Sequence, residues 1–243
     1  MLYSGGFDSE VLLRAAAEAM EPGMPVPLTA RSPMLADYYV RRVREVCSLL
    51  KLEPVFVDLD LLKVPGLAGN GPDRCYLCKK ELFGTLGRRA RAMGCHSVMD
   101  GTSVDDLGEN RPGLAAAAEE GIRHPFVEAG MGREAITSLG LRLGTRAEDN
   151  PSDSCLATRI PAGTRITREL LELVERMEAP VRPFVRGRFR VMLGGDSKSL
   201  SVEYESRDRE TVTRHLDRLR ECALDHGMSV EFRRTDGGHS SFR

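Results

Sequence analysis

Six consecutive residues near the start, Ser4-Gly5-Gly6-Phe7-Asp8-Ser9, have the types needed to hold an anion. Two glycines let a backbone approach a ligand closely. The serine hydroxyls, and the free amides of a helix expected to follow at once over residues 10–20, can bind phosphate oxygens. Asp8 can steady the helix start or a metal ion. No Gly-Lys-Ser/Thr follows, so this is not a Walker loop. The alternative is a plain glycine-rich turn capping a helix. Only Met1-Leu2-Tyr3 precede the loop, so the first strand is expected to be very short.

The second group of chemically able residues is sulfur. Cys75 and Cys78 form a Cys-x-x-Cys pair inside Pro-Asp-Arg-Cys-Tyr-Leu-Cys-Lys, a spacing that suits one metal, one cluster or a redox disulfide. Cys155 supplies a third thiol, in a polar loop whose Arg159 is expected to favour the thiolate. Three thiolates without a good fourth ligand suit an iron–sulfur cluster with one open iron better than a closed zinc site. His96 or His124 could complete a zinc site, and three unrelated thiols are the plain alternative. Cys47 and Cys222 fall in helical apolar patterns and are expected in the core, and Cys95, beside Gly94 at a helix end, is expected to pack.

A third stretch, Asp100-Gly101-Thr102-Ser103-Val104-Asp105-Asp106, ends a short buried strand. Ligand loops sit there in α/β enzymes. Asp105 and Asp106 are candidates for magnesium or for turn and helix caps.

Elements that would position these groups follow from periodicity. Strands are expected over residues 25–29, 54–58 and 97–100, with helices over 33–50 and 79–93 between them. Strands separated by helices predict an α/β fold with a parallel sheet. Residues 144–163 read as a long functional loop or linker. A helix over 167–177, with Thr167 at its N-cap, is followed by strands at 187–193 and 200–204 around Gly194-Gly195-Asp196. A helix over 208–226 and a strand over 229–233 complete a β-β-α-β order. The expected domains are 1–165 and a smaller α+β unit, 166–243.

The bulk figures bound the function. The chain has 243 residues, with 35 basic and 36 acidic side chains and a formal net charge of -1. That balance argues against a whole-chain attraction to nucleic acid or membrane. No apolar run is long enough to span a bilayer, the start lacks a signal-peptide pattern, and a cytoplasmic location is the default expectation. In that setting six cysteines are not a disulfide framework.

The opening loop resembles the PP-loop of enzymes that split ATP between the α and β phosphates. Taken in order along nearly the whole chain, the motifs are similar to those of the ATP-dependent sacrificial sulfur transferases of the LarE family. The match runs from Ser4–Ser9 through Ser32-Pro33, residues 72–79, Asp100-Gly101-Thr102 and Arg111-Pro112-Gly113 to Cys155-Leu156-Ala157-Thr158-Arg159-Ile160-Pro161. The resemblance implies a PP-loop domain and a smaller C-terminal domain, with ATP and Mg2+ as cofactors. It implies adenylation of a pyridinium dicarboxylate mononucleotide, then attack by sulfur to give a thiocarboxylate and AMP. One branch of the family gives up the sulfur of the cysteine matching Cys155. In another, cysteines matching Cys75, Cys78 and Cys155 hold a 4Fe–4S cluster carrying an extra sulfide; all three are present here. Substrate phosphate would be held by Arg188 and Arg190, which strand alternation puts on one face, although the register can also align Arg190 with Met192. A homo-oligomer is expected from the resemblance and from the open edges of the small sheet. The rival readings are a PP-loop tRNA thiolase with a similar cluster, and a non-catalytic nucleotide-binding or redox-sensing protein.

Overall fold

The structure, a computed structural model, describes residues 1–21, 24–108, 112–147, 155–196 and 198–235. Its first half is an α/β layer. Strands β1 (Leu28–Arg31) and β2 (Val55–Asp58) pair in parallel, Leu28 opposite Val55 and Arg31 opposite Asp58. Pairing begins at Leu28 rather than at Pro25 because the two prolines have no N–H to donate. Residues 1–3 lie on the other side of β1, with Leu28 N donating to Met1 O and Tyr3 N to Leu28 O. Leu2 N then donates to Met99 O, and Arg123 N to Val98 O. The expected strand at 97–100 is therefore a short bridge at Met99 rather than a ladder.

The lateral order is β2, β1, residues 1–3, residues 98–100, residue 123. The chain steps outward from 1–3 to β1 and β2, then crosses back to 98–100. In open α/β sheets such a reversal marks the edge where ligands bind, here the C-terminal ends of segments 1–3 and 98–100. The Ser4–Ser9 loop leaves the first of these segments and Gly101 leaves the second.

Helices α1 (Phe7–Ala19), α2 (Asp37–Leu49), α3 (Arg74–Ala92), α4 (Pro112–Glu119), α5 (Pro125–Glu128) and α6 (Arg133–Arg142) accompany this sheet. α2 starts later than its apolar pattern predicts. Ser32 accepts the Met34 amide and the Leu35 amide bonds back to Ser32 O, so the chain turns before it coils. α3 starts five residues earlier than predicted, which puts Cys75 and Cys78 on its first two turns.

The C-terminal part has the expected β-β-α-β order. Helix α7 (Arg168–Glu178) is capped by Thr167, whose hydroxyl accepts from Leu170 N. β3 (Phe189–Leu193) and β4 (Ser199–Tyr204) are antiparallel, and β5 (Ser229–Arg234) joins β4 in parallel. The predicted helix over 208–226 is two, α8 (Arg209–Arg214) and α9 (Leu216–Asp225), broken at His215. Phe189, Val191, Leu193, Leu200 and Val202 share the buried face with Leu171, Val174 and Met177 of α7. Leu156, Ala157, Ile160 and Ile166 join this cluster, as do Met34, Leu61 and Leu67 from the first half. Cys47 is buried in the α1–α2 cluster, Cys222 packs on the C-terminal one and Cys95 on the α3–α4 one. Among the described residues no helix is long and apolar enough to cross a membrane.

Candidate functional site

The loop after Tyr3 is held in a closed shape by its own side chains. The Ser4 and Ser9 hydroxyls are 3.0 Å apart, Ser9 Oγ donates to Gly6 O, and Gly6 N reaches Ser4 Oγ at 3.3 Å. Gly5 has φ of +82°, and a Cβ there would lie 2.9 Å from Tyr39 O. The first turn of α2 therefore sits directly on the loop. On the opposite side is Gly101, where a Cβ would lie 2.9 Å from Ser9 N and 3.0 Å from the Asp8 carbonyl carbon. Two glycines thus let backbone close on backbone around the start of α1, whose first amides have no partner within the helix. Below the loop Glu10 is fully buried and is bonded by Arg14 of α1 and Arg42 of α2.

The Asp100-Gly101-Thr102 turn is braced as well. Asp100 Oδ1 accepts from Thr102 N at 3.0 Å and lies 2.7 Å from His124 Nδ1. Burial pushes the Asp100 carboxyl up, but those two hydrogen bonds outweigh it and hold the group below the usual carboxylate range. Asp8 is raised, by burial first, against the pull of Arg133 and with the push of Asp106 and Asp105. The capping reading of Asp105 and Asp106 is visible. Asp106 accepts from the Ser103 amide and hydroxyl, and Asp105 accepts from Arg133 N at the start of α6. Ser32 lies in a cleft of about 360 Å³ at the C-terminal ends of β1 and β2, whose far wall is Arg168, Glu172 and Glu175 of α7. Residues 4–9 do not line that cleft.

The three sulfurs sit on two segments that are bonded to each other. Asn70, 1% exposed and left-handed at φ 55°, donates to the carbonyls of Ile160 and Pro161 and accepts Gly163 N on its own carbonyl. Arg74 bonds Asn70 Oδ1 at 2.6 Å and Ala157 O at 3.2 Å, and its other nitrogen is 3.6 Å from Cys75 Sγ. The Cys75–Cys78 turn and the Cys155 turn are fixed together by this clamp. Cys75 and Cys155 are exposed and Cys78 is half-buried. Burial pushes the Cys78 thiol up to about 11, helped by the charges of Cys155 and Cys75. Among the described residues, however, no group of three His, Cys, Asp or Glu is already gathered as a metal centre. His124 is engaged with Asp100, and His96 is exposed.

No family model matches the chain. An uncharacterised protein of Synechocystis sp., slr1717, is 34% identical over 180 residues, which cover 74% of this chain and 67% of that protein. The chain belongs to the slr1717 family. A second uncharacterised protein, MJ0830 of Methanocaldococcus jannaschii, is 29% identical over 226 residues, covering 93% of this chain and 84% of its own. A more distant homologue is the pyridinium-3,5-bisthiocarboxylic acid mononucleotide synthase of Lactiplantibacillus plantarum. It is 28% identical over 191 residues, covering 77% of this chain and 69% of the synthase.

In this slr1717-family chain the surroundings of Arg159 differ from the sequence expectation. The guanidinium is 1% exposed and forms two bonds with Glu178, Nε to Oε1 at 2.9 Å and Nη2 to Oε2 at 3.2 Å. It also donates to the Cys155 carbonyl at 3.4 Å and the Thr158 hydroxyl at 3.0 Å. Glu178 further accepts from Arg182 at 2.6 Å and from Val191 N at 2.9 Å. This buried hub ties the Cys155 turn to α7 and β3. Sequence reasoning passed over Glu178, Arg182 and Asn70. Only Asn70 carries a local signal, its place between two glycines. Arg190 lies on β3 opposite Glu203, whereas Arg188 precedes the strand and its amide donates to Glu205 Oε1 at 3.0 Å. Arg111 and residues 150–154 lie outside the described residues.

Proposed function

We propose that the chain is an ATP-dependent sulfur transferase that converts a carboxylate of a pyridinium dicarboxylate mononucleotide to a thiocarboxylate, releasing pyrophosphate and AMP. The observation that carries this reading is the switch-point loop, closed between Gly5 and Gly101, in a chain whose second ordered feature is three clamped cysteines. The distant synthase homologue supports it. Ser4, Gly5, Gly6, Asp8 and Ser9 hold the β and γ phosphates on hydroxyls and helix amides. Ser32, Gly101 and Thr102 bind the rest of the nucleotide. Magnesium would be held near Asp8 and the outer side of Asp105, where it neutralises phosphate charge.

A carboxylate oxygen attacks the α phosphorus, and the bond to the β-phosphate oxygen breaks with pyrophosphate as leaving group. Sulfur then attacks the acyl carbon, and AMP leaves with the bonding pair. Cys155 delivers that sulfur: its Sγ first forms a thioester to the substrate, and loss of the Cα proton with cleavage of the Cβ–Sγ bond then frees the thiocarboxylate and leaves dehydroalanine at position 155. Arg159 acts as a positioning residue that fixes the Cys155 backbone. The donor set of Cys75, Cys78 and Cys155 suits a 4Fe–4S cluster, which would supply a sulfide in place of the cysteine's own sulfur. Arg188 and Arg190 take the substrate phosphate. The test incubates protein, ATP, magnesium and the dicarboxylate, then identifies nucleotide and sulfur products. AMP and a thiocarboxylate are expected, and ADP would overturn the reading. Anaerobic purification with iron, sulfide and zinc analysis checks the cluster, for which zinc alone is the contrary result.

A further inference from the structure

His124 is a titratable side chain at the switch point with no role in the steps above. It follows directly on Arg123, beside the 98–100 segment. Its Nδ1 lies 2.7 Å from Asp100 Oδ1, the same oxygen that accepts Thr102 N at 3.0 Å. Between those residues is Gly101, packed so closely on Ser9 N that no Cβ fits. A short path of contacts therefore runs from the imidazole through one carboxylate to the amide at the start of α1.

Resting on the PP-loop reading, we propose that His124 is a positioning residue of the anion site. In its protonated form it pins Asp100, and through it the 100–102 turn, against the Ser9 amide, so that nucleotide binding and proton uptake are coupled. The charged groups around the ring are Asp100 from the 98–100 segment, Asp106 from the following turn, and Glu128 from α5. Glu128 is already bonded by Arg123, and Asp106 faces Asp8 of α1. The Asp100 hydrogen bond raises the His124 pKa against the opposing effect of burial.

The sign follows from that direction. A raised histidine contributes fully below its unfolded value of about 6.5, and the contribution is lost as pH rises through the folded value. ATP affinity should fall as pH rises from the His124 pKa of the free folded protein to its higher value in the complex, because by reciprocity bound ATP should raise that pKa further. ATP's own terminal phosphate titrates nearby but identically for every variant, so differences between variants carry the result.

The experiment is an NMR titration of the ring protons of the five histidines, with and without ATP and magnesium. His124→Asn assigns the signal, and ATP affinity is measured by calorimetry on the same samples. Asn keeps a donor toward Asp100 but cannot titrate. The expected result is a rise in the His124 pKa on ATP binding, with wild-type affinity falling about fivefold or more across the window relative to His124→Asn. ATP binding with an unmoved His124 titration, or parallel affinity profiles, overturns the proposal and leaves the PP-loop reading standing. Failure to bind ATP at any pH removes both. Should His124→Asn not fold, Asp100→Asn serves, and the ATP-linked rise must then disappear.

Discussion

The Ser4–Ser9 segment and the cysteine clamp are built by different means. Around Ser4–Ser9 the contacts are backbone on backbone, permitted by Gly5 and Gly101, and the hydroxyl bonds span no more than five residues. Around Cys155 the contacts are side chains reaching across the fold: Asn70 to Ile160 and Pro161, Arg74 to Ala157, Arg159 to Glu178. The first region is local and stiff by conformation. The second is held by buried polar groups that must all be paired, and losing one leaves the others exposed to the full desolvation cost.

The largest effect should come from the second region. Glu178→Gln removes the buried carboxylate that Arg159 and Arg182 share, and should cost about 3–5 kcal/mol in urea unfolding. A cost near that of an exposed pair, roughly 0–1 kcal/mol, would show that the hub does not hold the fold. Asn70→Ala removes two buried donor bonds and the acceptor of Arg74, and about 1–3 kcal/mol of lost stability is expected. It should also speed alkylation of Cys155, measured by mass spectrometry of the labelled peptide, while ATP binding is retained. Simultaneous loss of ATP binding would mean that the two regions are not separable.

Gly101→Ala probes the first region. The new methyl meets backbone on Ser9 and Asp8, and such overpacking costs about 1–3 kcal/mol. ATP affinity should therefore fall about tenfold, with Cys155 reactivity unchanged. The smallest effect is expected for Thr167→Ala. Loss of that N-cap should cost about 1 kcal/mol, and a null result would mean that packing of α7 on the sheet supplies its start.

The same contrast explains what was legible in the sequence. The Thr167 cap and the alternating strands β3 and β4 are local patterns, and each is found close to where its spacing predicts; the loop is shorter than expected, because α1 already takes in Phe7–Ser9. Element starts were misjudged where a turn intervened, as at Ser32, or where the helix runs ahead of its apolar stripe, as at Arg74. The split at His215 has no breaker residue to announce it. The partners of Arg159 were not readable. Glu178 is nineteen residues away and looks like an ordinary helix-end acid until the Cys155 turn folds onto it. Asn70 depends on a left-handed backbone and on carbonyls ninety residues further along.

The separability of activation and sulfur delivery is tested most directly by pyrophosphate exchange. Wild type and Cys155→Ser are each given ATP, magnesium, labelled pyrophosphate and the dicarboxylate substrate. If, as proposed, the adenylate forms at the Ser4–Ser9 loop, both proteins should return label into ATP at similar rates, and only wild type should yield thiocarboxylate. Absence of exchange in wild type, or thiocarboxylate formation by Cys155→Ser, would contradict the account.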